Sequence, residues 1–77
     1  METKNGVIET HYDNGQIWSR KTYKDGKLDG LSEEWYSNGQ LKSRANYKDD
    51  KVDGLCEFWY SDGKYMRRVT YKDGVEE

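Results

Sequence analysis

The sequence predicts an all-β fold: a single-layer antiparallel meander of about six strands, built from three 24-residue β-hairpin repeats. Gly6, Gly30 and Gly54 recur every 24 residues, and columns of Glu, Arg and Tyr recur around them in the same register. Each repeat also carries two turn signals, mostly Asn-Gly or Asp-Gly, and the segments between them are rich in Tyr, Trp, Thr, Val and Ile. A fixed period of this length indicates that the repeat itself is the architecture.

The chain is expected to form one domain over residues 1–77, with repeats at about 6–29, 30–53 and 54–77. Such a short chain cannot hide a large core. Leu, Ile, Val and Phe are sparse enough to suggest disorder, but seven Tyr and three Trp raise the aromatic content to 14%. We therefore expect the sheet to be stabilised by aromatic rows.

Both turn signals of each repeat are predicted to be two-residue type I′ turns, because Asn-Gly and Asp-Gly supply the two positive φ angles that this turn requires. One set is Asn14-Gly15, Asn38-Gly39 and Asp62-Gly63; the other is Asp25-Gly26, Asp49-Asp50 and Asp73-Gly74. With turns of this length, the strands that hold Gly30 and Gly54 are about two residues longer than their neighbours. The sequence thus predicts a stagger or a bulge at each of these glycines.

A two-residue turn at Asn38-Gly39 also fixes which residues lie opposite each other. The predicted pairs are Tyr36 with Leu41, Trp35 with Lys42, Glu33 with Arg44 and, by the same count, Glu9 with Arg20 and Glu57 with Arg68. The Glu and Arg columns then form a ladder of cross-strand ion pairs, each contributing roughly 0.2–1 kcal/mol to this register.

Strand alternation assigns the remaining side chains to two faces. The main apolar face is predicted to hold Ile8, Tyr12, Ile17, Tyr23, Leu28, Tyr36, Leu41, Ala45, Tyr47, Val52, Cys56, Phe58, Tyr60, Tyr65, Val69 and Tyr71. The other face is predicted to hold Val7, His11, Trp18, Leu31, Trp35, Leu55, Trp59 and Met66, together with Lys42 and the Glu-Arg ladder. Since one sheet cannot cover both of its own faces, we expect curling, a second copy or a partner to cover part of this surface.

Rings that alternate with cations form the candidate binding site. Its residues are Trp18, Trp35, Trp59, Tyr36, Tyr60, Arg20, Arg44 and Lys42. Stacked rings beside cations can bind bases, sugars or choline. The alternative interpretation is cross-strand packing within the sheet, and the sequence alone leaves both open.

No catalytic constellation is predicted. Each Glu of the ladder has an Arg opposite, which holds the carboxylate ionised. His11 takes the position that Trp35 and Trp59 have in the other repeats, so we interpret it as a substituted ring on an end strand. Cys56 falls in a column of small, partly buried residues, where a reactive thiol is the minor interpretation.

Metals, cofactors and nucleic acid are also not expected. One Cys and one His exclude a zinc cluster, and the Asp-rich segment from Lys48 to Gly54 fails the spacing of a calcium loop. Thirteen basic against fifteen acidic residues give a net charge of -2, which offers little attraction to nucleic acid. With one cysteine and no apolar leader or spanning segment, we expect a cytoplasmic chain, with peripheral membrane contact as the variant.

The repeated pattern G-L-x-E-x-W-Y-S-[ND]-G-[QK], followed by Y-K-D-G-K-x-D-G, resembles the bacterial variant of the MORN repeat across essentially the whole chain. The resemblance implies a hairpin-repeat sheet that serves interaction or dimerisation. It also implies contact with membranes or phosphoinositides in some members and an antitoxin-like assignment in bacterial relatives. We therefore expect a non-enzymatic module for protein-protein interaction or self-association through its aromatic faces. The alternative is lipid or small-ligand binding, choline-like or sugar-like, through the Trp and basic face.

Overall fold

The computed structural model describes residues 4–77, and Met1 to Thr3 lie outside the described residues. Seven strands follow one another: β1 (Gly6–His11), β2 (Ile17–Lys24), β3 (Lys27–Trp35), β4 (Leu41–Lys48), β5 (Lys51–Trp59), β6 (Tyr65–Lys72) and β7 (Val75–Glu76). Each strand pairs antiparallel with the next, and the sheet order is the chain order. The predicted all-β meander is confirmed, with the two-residue β7 as a strand beyond the six expected.

The sheet is a single layer, measuring 37 × 33 × 11 Å. Two packed sheets would already be about 10 Å apart between their backbones, so 11 Å leaves room for one sheet and its side chains. Among residues 4–77, no large side chain is fully buried, and the buried positions hold small or medium residues. They are Ser19, Ser32, Ala45, Cys56 and Val69. Contacts between neighbouring strands therefore stabilise this fold in place of a central core.

The turns that join β2 to β3, β4 to β5 and β6 to β7 are the predicted two-residue turns. Both central residues of each have positive φ, as type I′ requires: Asp25 has 51° and Gly26 has 82°. In the middle repeat Asp50 replaces the glycine and still adopts φ of 68°. Its carboxylate Oδ1 accepts a 2.7 Å hydrogen bond from Leu28 N, so the side chain offsets part of the backbone cost.

The other turns differ from the prediction. Among the described residues of the Asn38-Gly39 turn only the glycine has positive φ, 91°, so a type I′ turn is wrong here. The loop runs from Tyr36 to Gln40 and is closed by hydrogen bonds from Tyr36 N to Gln40 O (2.8 Å) and from Gly39 N to Tyr36 O (2.9 Å). Asn38 Oδ1 accepts Gln40 N at 2.9 Å, so asparagine acts through its side chain. Asn14-Gly15 and Asp62-Gly63 repeat this geometry.

The longer loop adds a bulge beside each of these turns. Glu33 lies opposite Arg44 as predicted, and Glu9–Arg20 and Glu57–Arg68 are likewise confirmed as Cα partners. Trp35, however, lies opposite Leu41. The predicted pairs Trp35–Lys42 and Tyr36–Leu41 are therefore wrong, because Lys42 is the extra residue of the bulge.

An added residue moves the side chains of its own strand, between the bulge and the turn, to the opposite face. The sequence predicts Ile17, Leu41 and Tyr65 on the main apolar face. This is wrong, because they lie opposite His11, Trp35 and Trp59 on the face of the Glu-Arg row. Trp18 is predicted on the face of the Glu-Arg row, and this is also wrong. It lines a pocket with Ile8, Lys21 and Tyr23 on the opposite face. Met66 has the same bulged position in β6.

The predicted bulges at Gly30 and Gly54 are confirmed. Lys21 pairs with Ser32 and Tyr23 pairs with Leu28, so that Thr22 alone faces the three residues 29–31. Gly30 has φ of +113° there, and Thr22 Oγ1 donates to Leu31 O at 3.0 Å. Glycine is required because an L side chain rarely adopts this conformation. Gly54 repeats the feature with φ of +103°.

Candidate binding surface

One row of alternating charge crosses six strands of the sheet. Each member is the Cα partner of the next, in the order Glu9, Arg20, Glu33, Arg44, Glu57 and Arg68. We call the side of the sheet that carries this row the ladder face. The row arises because odd strands place Glu and even strands place Arg at the same height of every repeat.

The ion pairs within this row link neighbouring hairpins as well as the strands of one hairpin. Arg20 Nε lies 2.7 Å from Glu9 Oε2, and Arg20 Nη1 lies 3.9 Å from Glu33 Oε1. Arg44 Nη2 lies 3.0 Å from Glu57 Oε1, on the strand that follows. The predicted pairs Glu33–Arg44 and Glu57–Arg68 are in register but form no ion pair among the described residues. Each inner Arg has a Glu on both sides, so the register alone could not decide between them.

Glu57 shows which protonation state the charged row favours for its carboxylates. The hydrogen bond from Arg44 lowers the pKa of Glu57 below its ordinary value, and a second one from the Tyr65 hydroxyl at 3.1 Å adds to this. Partial burial and the same bond to Glu57 raise the pKa of Tyr65. The carboxylate is therefore held ionised, which suits a structural role and not a general acid.

The Trp rings of this face lie beneath the Arg side chains. The guanidinium carbon of Arg20 is 5.6 Å from the ring centroid of Trp35, and that of Arg44 is 5.7 Å from Trp59. Tyr65 meets Trp59 edge-on, with centroids 5.5 Å apart at 81°. The structure thus brings four of the predicted binding residues together, but stacked on each other. This geometry matches cross-strand packing, and a ligand between ring and cation would have to displace it.

Apolar residues flank the charged row on both sides. Toward the Gly30 and Gly54 bulges lie Val7, Leu31 and Leu55, which are 59%, 39% and 39% exposed. Toward the Asn-Gly loops lie Trp59 and Tyr65, and the half-buried Trp35 beside Leu41. Sequence reasoning misses Tyr65 because nothing in the sequence indicates the bulge at Met66, the residue that follows it. The ladder face is thus amphipathic, with a balanced charge stripe between two apolar rows.

The other side of the sheet, which we call the tyrosine face, carries Tyr23, Tyr47 and Tyr71 on its even strands. Its floor is the row Ser32, Ala45, Cys56 and Val69, all buried. Burial raises the pKa of the Cys56 thiol and that of the Tyr47 hydroxyl. Cys56 is only 7% exposed, and its raised pKa disfavours the reactive thiolate form. The structure therefore supports a packing role for this residue.

The remaining predicted binding residues lie away from the ladder face or in loops. Trp18 is 48% exposed at the pocket on the tyrosine face, and its ring lies 5.9 Å from that of Tyr12. Lys42 has the same bulged position in β4, with its ammonium 5.8 Å from the ring centroid of Tyr36. Tyr36 also donates its hydroxyl to Trp59 O at 2.8 Å, and Tyr60 is 52% exposed in the last loop. The eight candidates therefore do not form one site.

Three further features of the described residues concern metal binding, the single histidine and membrane-spanning helices. No group of three or more His, Cys, Asp and Glu within residues 4–77 is arranged to hold a metal ion. His11 is exposed opposite Ile17, at the end of β1. Over the same residues, the chain contains no helix of the length and apolar character needed to cross a membrane.

Comparison with known families explains the period of the sheet. The model of the MORN repeat variant matches residues 4–25, 28–49 and 52–73, which together make up most of the chain. The chain belongs to the MORN repeat variant family. MORN repeats are generally non-catalytic modules that bind proteins or membranes. No curated protein and no solved structure matches this MORN chain.

Proposed function

We propose that this MORN chain is a non-enzymatic protein-binding module and that its partner covers the ladder face. The observation that carries the proposal is the single-layer sheet: at 11 Å thick, it has no second layer to cover the exposed Leu31, Leu55 and Tyr65. Exposed apolar surface bordered by polar residues marks interaction sites in soluble proteins.

The chemistry of the ladder face favours a protein partner over a polyanion. Trp, Tyr and Arg are the residues most enriched at the energetic centres of protein interfaces, and Trp59, Tyr65 and Arg44 meet here at contact distance. The charged row contains as many Glu as Arg, so it gives orientation without attracting nucleic acid or an anionic bilayer. A partner with apolar side chains on either side of its own charged stripe would match this surface.

Co-purification with a tagged chain from its native cells tests the proposal. The double variant Leu31→Ser/Leu55→Ser removes apolar area from the ladder face at exposed positions. Its matched control, Trp18→Ser/Met66→Ser, removes exposed area at two bulge positions of the opposite face. We expect a stoichiometric protein that is lost from the first variant and kept by the second. Retention by a folded ladder-face variant would contradict the proposal.

Lipid or small-ligand binding is the second candidate, and the structure favours the tyrosine face for it. Trp18 is exposed beside Lys21, whereas Arg20 and Arg44 of the ladder face are already engaged with carboxylates. We expect the fluorescence of Trp18 to shift to shorter wavelength with vesicles of anionic lipid at low salt. A choline-like or sugar-like ligand would change the same signal without vesicles. An unchanged spectrum in both cases would remove this candidate.

We place the module in the cytoplasm, since the free thiol of Cys56 suits a reducing compartment. An antitoxin-like role in a bacterium would be one case of the same protein binding, with a toxin as the partner on the ladder face. Cell fractionation, with the co-purified protein identified by mass spectrometry, tests both statements. Recovery in the periplasm or medium would contradict the placement.

A further inference from the structure

We propose that the occupant of the ladder face is a second copy of this chain, packed face to face about a two-fold axis that runs parallel to the strands. The inference rests on the proposed function, because it uses the same face. What points to it is the order of the charged row, which begins with Glu9 on β1, ends with Arg68 on β6 and alternates at every strand. If the strand order is reversed, the row has a charge of the opposite sign at every position.

A two-fold axis parallel to the strands reverses the strand order, so that β1 lies over β6 of the second copy, β2 over β5 and β3 over β4. The facing residues are then Glu9 and Arg68, Arg20 and Glu57, and Glu33 and Arg44. A two-fold axis across the strands would instead lay each strand over its own copy and place like charges together. Since like-charge contacts across an interface are costly, the row selects the first arrangement.

The apolar row beside the bulges supports the same arrangement by its shape. Its larger side chains lie on odd strands, and their partners on even strands are short and polar: Val7 pairs with Thr22, Leu31 with Asn46 and Leu55 with Thr70. Laying odd strands over even strands places each branched apolar side chain above a short one of the other copy. Two surfaces that alternate in this way can interdigitate to the packing density of an interface.

Charge and apolar area have separate roles in this dimer. Arg20 and Arg44 already have carboxylate partners within their own copy, at 2.7 and 3.0 Å, so no unpaired charge need be buried at these positions. The charges of the second copy then fix the orientation more than they add affinity. The apolar rows supply the affinity. The sheet measures 37 × 33 Å across this face, so its area exceeds the roughly 800 Å² that each partner contributes to a stable interface.

The ends of the row give a test by charge reversal, because Glu9 and Arg68 would meet twice in each dimer. Sedimentation equilibrium is measured for the unmodified chain, Glu9→Arg, Arg68→Glu and an equimolar mixture of the two variants. We expect the unmodified chain to form a closed dimer, each variant alone to dimerise at least about tenfold more weakly, and the mixture to recover the affinity. Lys21→Glu, a charge reversal on the tyrosine face, is the control and should dimerise normally.

Several outcomes overturn the inference: a monomeric unmodified chain, full dimerisation of Glu9→Arg and Arg68→Glu, or a mixture that does not recover. Growth beyond two copies would also overturn it, because pairing between the outer edges of β6 and β1 would use the same charges but would not close. Leu31→Ser/Leu55→Ser should weaken the dimer even if a charge variant misfolds, and an unchanged affinity would count against the face. A chain that stays monomeric yet binds another protein through Leu31 and Leu55 would refute the second copy alone and leave the proposed function standing.

Discussion

Arg44 lies over the ring of Trp59 with its guanidinium carbon 5.7 Å from the ring centroid, while its Nη2 is 3.0 Å from Glu57. One side chain of β4 thus contacts both a ring and a carboxylate of β5. Arg20 repeats the arrangement one hairpin earlier, over Trp35 and within reach of Glu33. Because these strands belong to different hairpins, the Arg column joins the repeats to each other.

Arg44→Ala should therefore lower the free energy of unfolding. We expect a loss of about 0.5–1 kcal/mol from the cation–π contact, with a smaller addition from the exposed ion pair. Arg68→Ala is the matched control, since no ion pair or ring contact of Arg68 occurs within residues 4–77, and it should cost less than about 0.5 kcal/mol. Urea denaturation at low protein concentration measures both. Equal losses would show that the stacking on Trp59 adds nothing.

Gly30 and Gly54 offer a second matched pair. Both have φ above +100°, so alanine is strained at either position. A Cβ at Gly30 would also lie 3.3 Å from the side chain of Thr22, whereas one at Gly54 meets nothing within 4 Å. We expect each substitution to cost about 1–2 kcal/mol, with Gly30→Ala the more destabilising. Thermal melting followed by circular dichroism ranks the two, and a reversed order would contradict the contact with Thr22.

Asp50 gives a third prediction, because it adopts φ of 68° where the other two repeats have glycine. Asp50→Ala keeps the backbone strain and loses the hydrogen bond to Leu28 N, so it should cost about 1–2 kcal/mol. Asp50→Gly loses the same bond but relieves the strain, so it should fall within about 0.5 kcal/mol of the unmodified chain. Urea denaturation of both variants is the measurement. If alanine proved as well tolerated as glycine, neither the strain nor the bond would matter.

The sequence was sufficient for the features that depend on period and backbone chemistry. The 24-residue spacing and the Asp-Gly pairs led to the meander, the type I′ turns and the bulge at Gly30. The opposition of Glu33 and Arg44 also followed, because the five-residue loop with its bulged residue and a two-residue turn give the same register beyond the bulge.

The faces near the Asn-Gly loops could not be predicted in the same way. Asn38-Gly39 fits a type I′ turn and a longer loop equally well, and the choice depends on the Asn38 side chain binding Gln40 N. The equivalent bonds of Asn14 and Asp62 accompany an inserted residue in the other two loops, so Trp18 and Tyr65 lie on the opposite faces from those expected. The candidate site is divided for the same reason. Trp18 and Lys42 are bulged residues, whereas Arg20 and Arg44 lie two residues further along, in the regular part of the ladder face.

Acid should destabilise the sheet through Glu57. The Arg44 hydrogen bond lowers the folded-state pKa of this carboxyl below its ordinary 4.5, so the ionised form stabilises the folded chain. This contribution is fully present above the unfolded-state pKa and is lost as the pH falls through the folded-state pKa. Glu57→Gln cannot ionise, so we expect it to be less stable than the unmodified chain at pH 7 and to show a smaller loss of stability on acidification. Urea midpoints measured from pH 7 down to about pH 3 follow both chains.

Glu76→Gln makes the same chemical change on the short β7, outside the charged row, and is the control for this measurement. It should follow the unmodified chain across the whole pH range. If Glu57→Gln also followed that curve, the carboxylate would not be the source of the acid sensitivity. Stacking of Arg44 on Trp59 would then be sufficient to join β4 to β5 without it.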